Sequence, residues 1–444
     1  MFSRNVWRQI KKQWDHADGP VSVIVKRKNH ALSRKQISPN ALKALYRLKQ
    51  AGFDAFLVGG GVRDILLKKP TKDFDIVTNA LPEEVRKLFS NSRIIGRRFK
   101  LVHILFHKEI IECSTFRADG GDDQSSVASR LHGIDGESEG NLNRPELRHD
   151  NVYGSIEQDA WRRDFTVNSL YYNIKDFSII DYTGGIVDLR AKVMRIIGDP
   201  MQRFEEDPVR LLRAVRLSAK LKFSMHPDTD AVVKTQQDLL DNVPPSRIFH
   251  EFMKLFFSGY AVLTYEKMMG YGYIAKLFPE LAVALQRRIC PSHEKVIKLA
   301  LKATDVRFKE KKTINPGFLV AVFLWPVVCY HNEALKSEES REHARFMRAV
   351  DLAIAGSSQL MNLPNRMKQM IRSMWRMQKH LEGPRPRRVD GLYGQRYFRA
   401  AYDFLLLRAE AGEIRYRWPS WWRNYQKATT KVRLKMLTKI NNNK

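Results

Sequence analysis

The chain has 444 residues, with 77 lysines and arginines against 48 aspartates and glutamates and a formal net charge of +29. This length is too great for one compact core, so it predicts two or more domains. The positive excess points to a polyanionic partner: RNA, DNA or an anionic membrane surface. The three cysteines, Cys113, Cys290 and Cys329, have no metal-ligand spacing, and their odd number argues against a disulfide framework and for a reducing compartment.

The start of the chain is polar, basic and aperiodic, so we expect a flexible tail over residues 1–35. It carries charges where a signal peptide needs an apolar core, which argues against secretion. The longest apolar run, Phe318 to Tyr330, is too short to span a bilayer and contains Pro326. It predicts a buried helix, no transmembrane segment and a cytoplasmic protein.

Helices and strands alternate in the next part of the chain. The stretch from Ser38 to Gly52 predicts a helix, with Ser38 as N-cap and Pro39 in its first turn. Short apolar or alternating runs follow, and "LVHILFH" with "EIIECSTF" predicts a hairpin. We therefore expect an α/β head over residues 36–192, with a mobile loop at 118–150 that is rich in glycine, serine and aspartate.

The remaining patterns are almost all helical. They predict an α+β protein in which the head is followed by a neck at 193–258, a body at 259–384 and a basic C-terminal region at 385–444. "RYRWPSWWRNYQK" near the end mixes arginines with aromatic residues. These aromatic side chains are expected either to stack RNA bases or to form the core of a C-terminal helix, and the second is favoured.

Two aspartates separated by one residue are the first candidate site. In a strand, Asp73 and Asp75 point to the same side. Carboxylates this close repel unless a cation lies between them, and Mg²⁺ accepts carboxylates, waters and substrate phosphates together. By itself the pattern is more typical of a turn or a solvated edge.

A glycine turn precedes the two aspartates. Gly59, Gly60 and Gly61 follow a strand-like run, and such glycines let backbone N–H groups approach a phosphate. This is neither a Walker loop nor a dinucleotide fingerprint. Arg63 and Asp64 open the next helix and are candidates for the same cleft.

A third carboxylate is needed to complete a two-metal site, and two residues are candidates. Glu112 lies on a half-apolar strand, where a solvent-facing position is an equal alternative. Asp164 belongs to "RRDFTVNS", which we expect to be helical, so that Asp164 and Asn168 share a face toward ribose hydroxyls while arginines bind phosphate. The alternative is an ordinary surface turn with an Asp159–Arg163 ion pair.

The last candidate site begins a helix. Asp207, followed by a proline, predicts the N-cap, and Arg210 lies three residues on. A carboxylate and a guanidinium at this spacing suit the edge of a base. Arg210, Arg213 and Arg216 also form a basic stripe, for which a solvated surface is an equal interpretation.

The chain resembles the class II nucleotidyltransferases in five ordered stretches: "LVGGGVRDILL…KDFDI", "RRDFTVNSLYYN", "DYTGGIVDL", "IIGDPMQRFEEDPVRLLRAVRLSAKL" and "VPPSRIFHEFMKL". This family, with its polymerase beta-like head, holds the bacterial CCA-adding enzymes and the bacterial poly(A) polymerases. The resemblance covers roughly residues 38–260. "IIGRRFKLVHILF", "NPGFLVAVFLWPVV" and "FRAAYDFLLLRAEAG" favour the poly(A) branch.

The resemblance implies a role for each matching residue. The metal-binding pair is matched by Asp73 and Asp75, with Glu112 or Asp164 as third acid. The triphosphate turn and its helix are matched by Gly59, Gly60, Arg63 and Asp64. The ribose and phosphate segment is matched by Arg163, Asp164 and Asn168. The pair that reads the incoming base in CCA-adding relatives is matched by Asp207 and Arg210. A neck arginine of the family is matched by Arg247. We expect Arg247 to bind RNA, together with Arg213 and Arg216 of the basic stripe.

The implied activity is template-independent polyadenylation of RNA 3′ ends, with AMP transferred from ATP and pyrophosphate released at a two-metal Mg²⁺ site. We expect these tails to feed RNA decay, with RNA-decay proteins as partners. The alternative is tRNA CCA addition, which shares the chemistry but requires CTP and stops when CCA is complete. A third hypothesis, an inert RNA-binding protein on the same scaffold, is disfavoured by the retained aspartates.

Overall fold

The computed structural model describes residues 8, 10–12, 14, 22–96, 100–107, 109–118 and 152–442. The chain forms two compact units. The first comprises residues 1–203 and 223–230, and the second comprises residues 204–222 and 231–444. We call them the head and the helical unit. The loop expected at 118–150 lies outside the described residues except for residue 118.

The head is built on a mixed sheet. Its strands, in chain order, are β1 (Val23–Val25), β2 (Ala55–Val58), β3 (Asp75–Thr78), β4 (Ser92–Ile95), β5 (Leu101–Phe106), β6 (Glu109–Thr115), β7 (Leu170–Asn173) and β8 (Ile179–Asp181). They are ordered β1-β8-β7-β2-β3-β6-β5-β4. Among the described strands of this sheet, only β3 and β6 pair in parallel. A separate parallel pair joins β9 (Val193–Met194) to β10 (Ser224–Met225).

Several predicted elements of the head are confirmed. A helix spans Pro39–Gln50, the Ser38 hydroxyl accepts a hydrogen bond from the Ala41 N–H at 3.0 Å, and Gly52 adopts a φ of +88° beyond its end. The hairpin is β5–β6, in which Phe106 faces Glu109. The sheet buries an aromatic core around Phe56 and Tyr171, whose rings meet edge to face.

The N-terminal segment differs from the expected tail. β1 pairs with β8 at the edge of the sheet, with Val23 opposite Asp181 and Val25 opposite Ile179. Val23 and Val25 are buried and Ile24 is exposed. A three-residue strand is too short for its alternating pattern to be recognised in a polar segment. The segment is held in place by pairing with β8, which is far along the chain and leaves no local signal.

Helices make up most of the remaining chain. In the head they are α1 (Pro39–Gln50), α2 (Gly60–Leu66), α3 (Pro82–Leu88), α4 (Ile156–Trp161) and α5 (Gly185–Ala191). α6 (Pro200–Glu206) and α8 (Pro227–Thr235) each cross a boundary between the units, on either side of α7 (Val209–Leu221). The helical unit continues with α9 (Pro245–Phe256), α10 (Ala261–Gly270), α11 (Tyr273–Leu277), α12 (Pro279–Gln286), α13 (His293–Lys309), α14 (Pro316–Ala334), α15 (Glu342–Leu360), α16 (Asn365–Glu382), α17 (Pro386–Tyr393), α18 (Phe398–Ala411), α19 (Arg417–Lys427) and α20 (Thr430–Asn442).

The core of the helical unit surrounds α14, the predicted buried helix. Phe323 contacts the rings of Phe252, Phe256, Tyr265 and Phe278, with ring centroids 5.2–6.1 Å apart. By length and composition α14 is the one described helix that could cross a membrane, but most of its apolar window is buried in the protein. A core helix passes the same test, so this is weak evidence for a membrane segment.

The C-terminal aromatic residues belong partly to this core. Trp422 and Tyr425 are fully buried, and the indole N–H of Trp422 donates to the Leu381 carbonyl at 3.0 Å. Trp418 and Trp421 are half-buried. The core interpretation therefore holds for Trp422 and Tyr425. α19 packs onto α16 and α18, and α20 packs onto α17, all within the helical unit.

Candidate active site

The glycine turn after β2 positions the acidic strand. Gly59 has a φ of +77° and precedes α2. A β-carbon built on Gly59 would lie 3.3 Å from Asp75 Oδ2, and one on Gly61 would lie 2.8 Å from the Asp73 carbonyl oxygen. The positive φ favours glycine at Gly59, and the close backbone contact requires glycine at Gly61. The turn and the two aspartates are therefore packed against each other.

The two aspartates occupy different backbone environments. Asp75 is the first residue of β3 and faces Val58, whereas Asp73 is exposed and precedes the strand. The expectation that a strand carries both was therefore wrong for Asp73. Their charges still interact: burial is the largest cause that raises the pKa of Asp75 from 3.8 to about 6, and Asp73 contributes in the same direction.

Glu112 is the acid that the sheet places beside Asp75. The two residues are register partners on the parallel strands β3 and β6. After burial, the charge of Glu112 is the largest cause of the raised pKa of Asp75, and Arg163 opposes it. Glu112 is solvent-exposed, as its alternative interpretation predicted, and one of its oxygens lies 3.5 Å from His103 Nε2.

These three carboxylates suit a divalent cation by their chemistry. A hard cation prefers oxygen ligands, which these carboxylates supply. It would also relieve the repulsion between their charges, which contributes to the raised pKa of Asp75. The ligand atoms of the three carboxylates do not all lie within 4.8 Å of one another. Among the described residues, only Cys290, His293 and Glu413 form a group of three that does. Such an open acidic set leaves room for the phosphate oxygens of a substrate.

Asp164 has a different environment. It is buried, and its Oδ1 accepts hydrogen bonds from the Phe165 N–H at 2.8 Å and from Asn168 Nδ2 at 3.2 Å. The expected helix is absent here, since α4 ends at Trp161 and only a short 3₁₀ turn, Thr166–Asn168, follows. Phe165 instead has an extended backbone and bridges to Ile196. Asp164 and Asn168 meet across this turn rather than along a helix.

Arg63 and Asp64 lie inside the head. Both are buried, and Arg63 contacts Asp64 Oδ1 through Nε at 2.8 Å and through its terminal nitrogen at 2.7 Å. Arg63 also donates to Asn168 Oδ1. This geometry fits a buried ion pair that holds the glycine turn against the Asn168 turn, so the direct triphosphate contact expected from the sequence gains no support.

Arg163 forms the ion pair that the alternative interpretation predicted. Its terminal nitrogen lies 2.9 Å from Asp159 Oδ2, and its Nε donates to the Tyr171 hydroxyl at 2.8 Å. The Tyr171 hydroxyl donates in turn to Asp159 at 2.8 Å. This buried network fixes the guanidinium close enough to Asp75 to oppose the rise in its pKa.

In the helical unit, the Asp207 carboxylate is held by two partners. It accepts from the Val209 N–H at 3.3 Å, but α7 begins at Val209 with Pro208 as its N-cap, so the predicted N-cap at Asp207 was wrong by one residue. It also pairs with Arg247 at 2.9 Å. Arg210 contacts Glu206 at 3.0 Å. The two members of the expected base-reading pair thus each have a neighbour of opposite charge.

The basic stripe on α7 is half-buried at Arg210, Arg213 and Arg216. Arg216 forms an ion pair of 2.9 Å with the buried Glu251. This ion pair joins α7 to α9. It fits neither a solvated surface position for Arg216 nor an arginine left free to bind RNA. The signal for such a pair is a lone glutamate on the apolar side of an amphipathic helix, which the sequence analysis missed, as it missed His103 beside Glu112.

Three family profiles match successive parts of the chain. Residues 55–195 match the poly A polymerase head domain, residues 222–285 a probable RNA and SrmB-binding site of polymerase A, and residues 338–444 the polymerase A arginine-rich C-terminus. The matches therefore extend well beyond the region in which the motifs were recognised.

Similar proteins fall into two groups. Poly(A) polymerase I of Escherichia coli O6:H1 is 41% identical over 96% of this chain and 90% of its own length. The CCA-adding enzyme of Lactobacillus helveticus is 36% identical over 48% of this chain and 49% of its own. The crystal structure of the Bacillus stearothermophilus CCA-adding enzyme with CTP is 25% identical, with a TM-score of 0.55, covering 88% of this chain and 83% of its own.

The sheet, the glycine turn and the acids beside it define a nucleotidyltransferase, a class whose polymerases use ATP and a divalent metal. Within that class, the 41% identity to a poly(A) polymerase over nearly the full chain identifies the family. The chain belongs to the poly(A) polymerase family.

Proposed function

We propose that the chain adds AMP from ATP to RNA 3′ ends without a template, using Asp73, Asp75 and Glu112 as its catalytic carboxylates. The observation that carries the acid assignment is the register pairing of Asp75 with Glu112. Asp164, whose Oδ1 accepts from Phe165 and Asn168 within its own turn, is assigned a positioning role. Polyadenylation is favoured over CCA addition because the match to a poly(A) polymerase covers 96% of the chain and that to a CCA-adding enzyme 48%.

Mg²⁺ is the ion we propose for these carboxylates, in a two-metal arrangement. When bound, such ions activate the attacking hydroxyl and stabilise the leaving pyrophosphate. The chain itself contributes fixed charge and position. Asp75 and Glu112 project from adjacent strands of a rigid sheet, and the Gly59 turn presents backbone next to Asp75, where a triphosphate can approach.

The neighbouring residues hold this geometry. Arg63 braces the Asn168 turn, and Arg163 carries a fixed positive charge toward Asp75. In the helical unit we propose that Asp207, oriented by Arg247, accepts a hydrogen bond from the amino group of the incoming adenine. The Arg210 guanidinium provides the donors that complement the ring nitrogens. Gly60, Asp64 and Arg213 remain predicted contributors to nucleotide or RNA binding.

The tailing reaction tests this proposal directly. The protein is incubated with Mg²⁺, a generic single-stranded RNA and ATP alone, and separately with a tRNA that lacks CCA plus CTP and ATP. We expect long tails with ATP alone, absent from Asp73→Ala and Asp75→Ala. An enzyme that requires CTP and stops when CCA is complete would instead be a CCA-adding enzyme.

We further propose that the tails feed RNA decay in the cytoplasm, with RNA-decay proteins as partners. An unpaired 3′ extension gives an exonuclease a place to begin on a structured RNA. The three cysteines are free thiols, which suits a reducing compartment. Decay of a stem-ended RNA by a 3′ exonuclease, with and without prior tailing by this protein, tests the first part. Equal decay rates would contradict it.

A further inference from the structure

Three potential metal ligands meet in the helical unit, outside the nucleotidyltransferase site. Cys290 and His293 lie at the start of α13, and Glu413 follows the end of α18. One side-chain donor atom of each lies within 4.8 Å of those of the other two. His293 is buried, and Cys290 and Glu413 are partly buried.

The backbone on both sides of this cluster is well fixed. The His293 N–H donates to the Cys290 carbonyl at 3.2 Å, which closes a Cys-x-x-His turn. Gly412 ends α18 with a φ of +86°, and the Glu413 N–H donates to the Arg408 carbonyl at 2.9 Å. This left-handed helix ending sets the direction of the Glu413 side chain. A β-carbon on Gly412 would be 4.0 Å from the Ser292 hydroxyl, so the two helix ends adjoin.

The Glu413 carboxylate has one oxygen satisfied and one not. Oε1 accepts from Arg408 Nε at 2.9 Å and from Trp325 Nε1 at 3.0 Å. Oε2 is buried and has no hydrogen-bond partner among the described residues. Its side chain is 9% exposed. Burying a carboxylate oxygen without a hydrogen-bond partner costs free energy, so this atom is a candidate ligand for a cation.

The charges around the cluster also favour a cation. Arg408 contacts Glu382 as well as Glu413, so its single positive charge is shared by two carboxylates. Once the charge of Arg408 is set against that of Glu382, the Glu413 carboxylate keeps one negative charge, and a metal that displaces the thiol proton of Cys290 would create a second. A divalent ion neutralises them, and a neutral His293 adds no charge.

We propose that Cys290, His293 and Glu413 bind Zn²⁺. Sulfur, imidazole and carboxylate together are typical of zinc, whereas Mg²⁺ takes oxygen ligands only. Ligands about 2.0–2.3 Å from a tetrahedral ion lie roughly 3.5 Å apart, so small side-chain rotations bring these atoms into place. The ion would tie the start of α13 to the end of α18, and the partly exposed Cys290 gives it a path of entry.

Zinc content and a cobalt spectrum test this site. The full chain, without a polyhistidine tag, is stripped with a chelator under reducing conditions, reloaded with Zn²⁺ and dialysed. We expect about one tightly held zinc per chain, lost in Cys290→Ser and His293→Gln. Loading with Co²⁺ should give a thiolate-to-metal charge-transfer band, because only a bound sulfur produces it.

The matched control is Cys113→Ala, which removes a buried thiol of β6, far from the cluster in sequence and in the other unit. It should keep both the zinc and the cobalt band. The proposal is overturned if the reloaded wild type holds no zinc after dialysis, or if Cys290→Ser retains the cobalt band. Should a variant fail to fold, the wild-type cobalt spectrum decides by itself, because binding by the head carboxylates gives no thiolate band.

Discussion

Asp75 and Glu112 face each other across the only parallel strand pair of the head sheet described here. Each is placed by backbone pairing rather than by loop structure, so neither depends on substrate for its position. Their mutual repulsion contributes to the raised pKa of Asp75. Ionised Asp75 therefore lowers the stability of the folded, metal-free protein.

The first prediction separates activity from stability at Asp75. Asp75→Asn should abolish tailing, yet raise the melting temperature of the metal-free protein at pH 7.5. The pKa of Asp75 is about 6 in the fold against 3.8 as its ordinary value. Between these pH values the folded chain retains a proton that the unfolded chain has lost, so stability falls as the pH rises toward 6 and stays lower above it.

Thermal melts at pH 7.5 and pH 4 measure this effect. The substitution removes a cost that exists only at the higher pH, and each kcal/mol recovered corresponds to roughly 2–4 °C. At pH 4 the variant and the wild type should melt together. A lower melting temperature for Asp75→Asn at pH 7.5 would contradict the assigned burial of charge.

The second prediction concerns the pH dependence of the reaction. Metal binding requires ionised Asp75, so at low Mg²⁺ the rate should fall as the pH drops through about 6. Raising Mg²⁺ should shift this fall to lower pH, because the ion competes with the proton. Rates measured from pH 5 to pH 8 at two Mg²⁺ concentrations check it, and a profile that does not move with Mg²⁺ counts against the site.

The third prediction ranks the two candidates for the third acid. Glu112→Gln should lower kcat by about 10²–10³, the usual effect of removing one electrostatic contact in a transition state. Asp164→Asn retains an acceptor oxygen for Phe165 and Asn168, so kcat should stay within about tenfold of the wild type. Single-turnover tailing rates compare them, and the reverse order would make Asp164 the catalytic acid.

The fourth prediction uses two glycines with left-handed backbone as a matched pair. Gly59 and Gly52 have φ values of +77° and +88°, but only at Gly59 would a β-carbon meet Asp75. Alanine at either position should cost about 1–2 kcal/mol from backbone strain. Only Gly59→Ala should also reduce kcat, so equal activities in the two variants would show that the close approach to Asp75 is unimportant.

The fifth prediction concerns nucleotide choice in the helical unit. Asp207→Asn removes the charge that Arg247 holds and should lower the preference for ATP over UTP, whose base has a carbonyl in place of the amino group, by roughly tenfold, which corresponds to a charged hydrogen bond of about 1.5–3 kcal/mol. Arg247→Gln should shift the preference in the same direction, and the double variant should be no worse than Asp207→Asn alone. Competition between labelled ATP and UTP measures the ratio, and an unchanged ratio contradicts the role.

Much of the fold could be predicted because its signals are local. Ser38, Pro39 and Gly52 mark the ends of one helix, and the apolar run around Phe323 marks another. Residues that depend on distant partners could not be placed this way. Arg216 is defined by Glu251 on a different helix, and the strand Val23–Val25 by its pairing with Ile179–Asp181.

The candidate site shows the same division. Spacing predicted the acids and glycines as candidates, and the sheet register that pairs Glu112 with Asp75 is what favours Glu112 over Asp164 in our proposal. Periodicity predicted a helix through Asp164, and tertiary burial of Phe165 replaced it with a turn. Cysteine spacing likewise gave no sign of Cys290 next to Glu413, because the two come from distant helix ends.

The short strand Val23–Val25 also bears on how the chain behaves when it is trimmed. It covers the outer side of Ile179–Asp181, all three of whose residues are buried. A shortened protein beginning at residue 38 would leave that row of peptide groups open as a template for a strand from another molecule. Self-association of such a fragment would therefore reflect a lost edge cover rather than a native dimer.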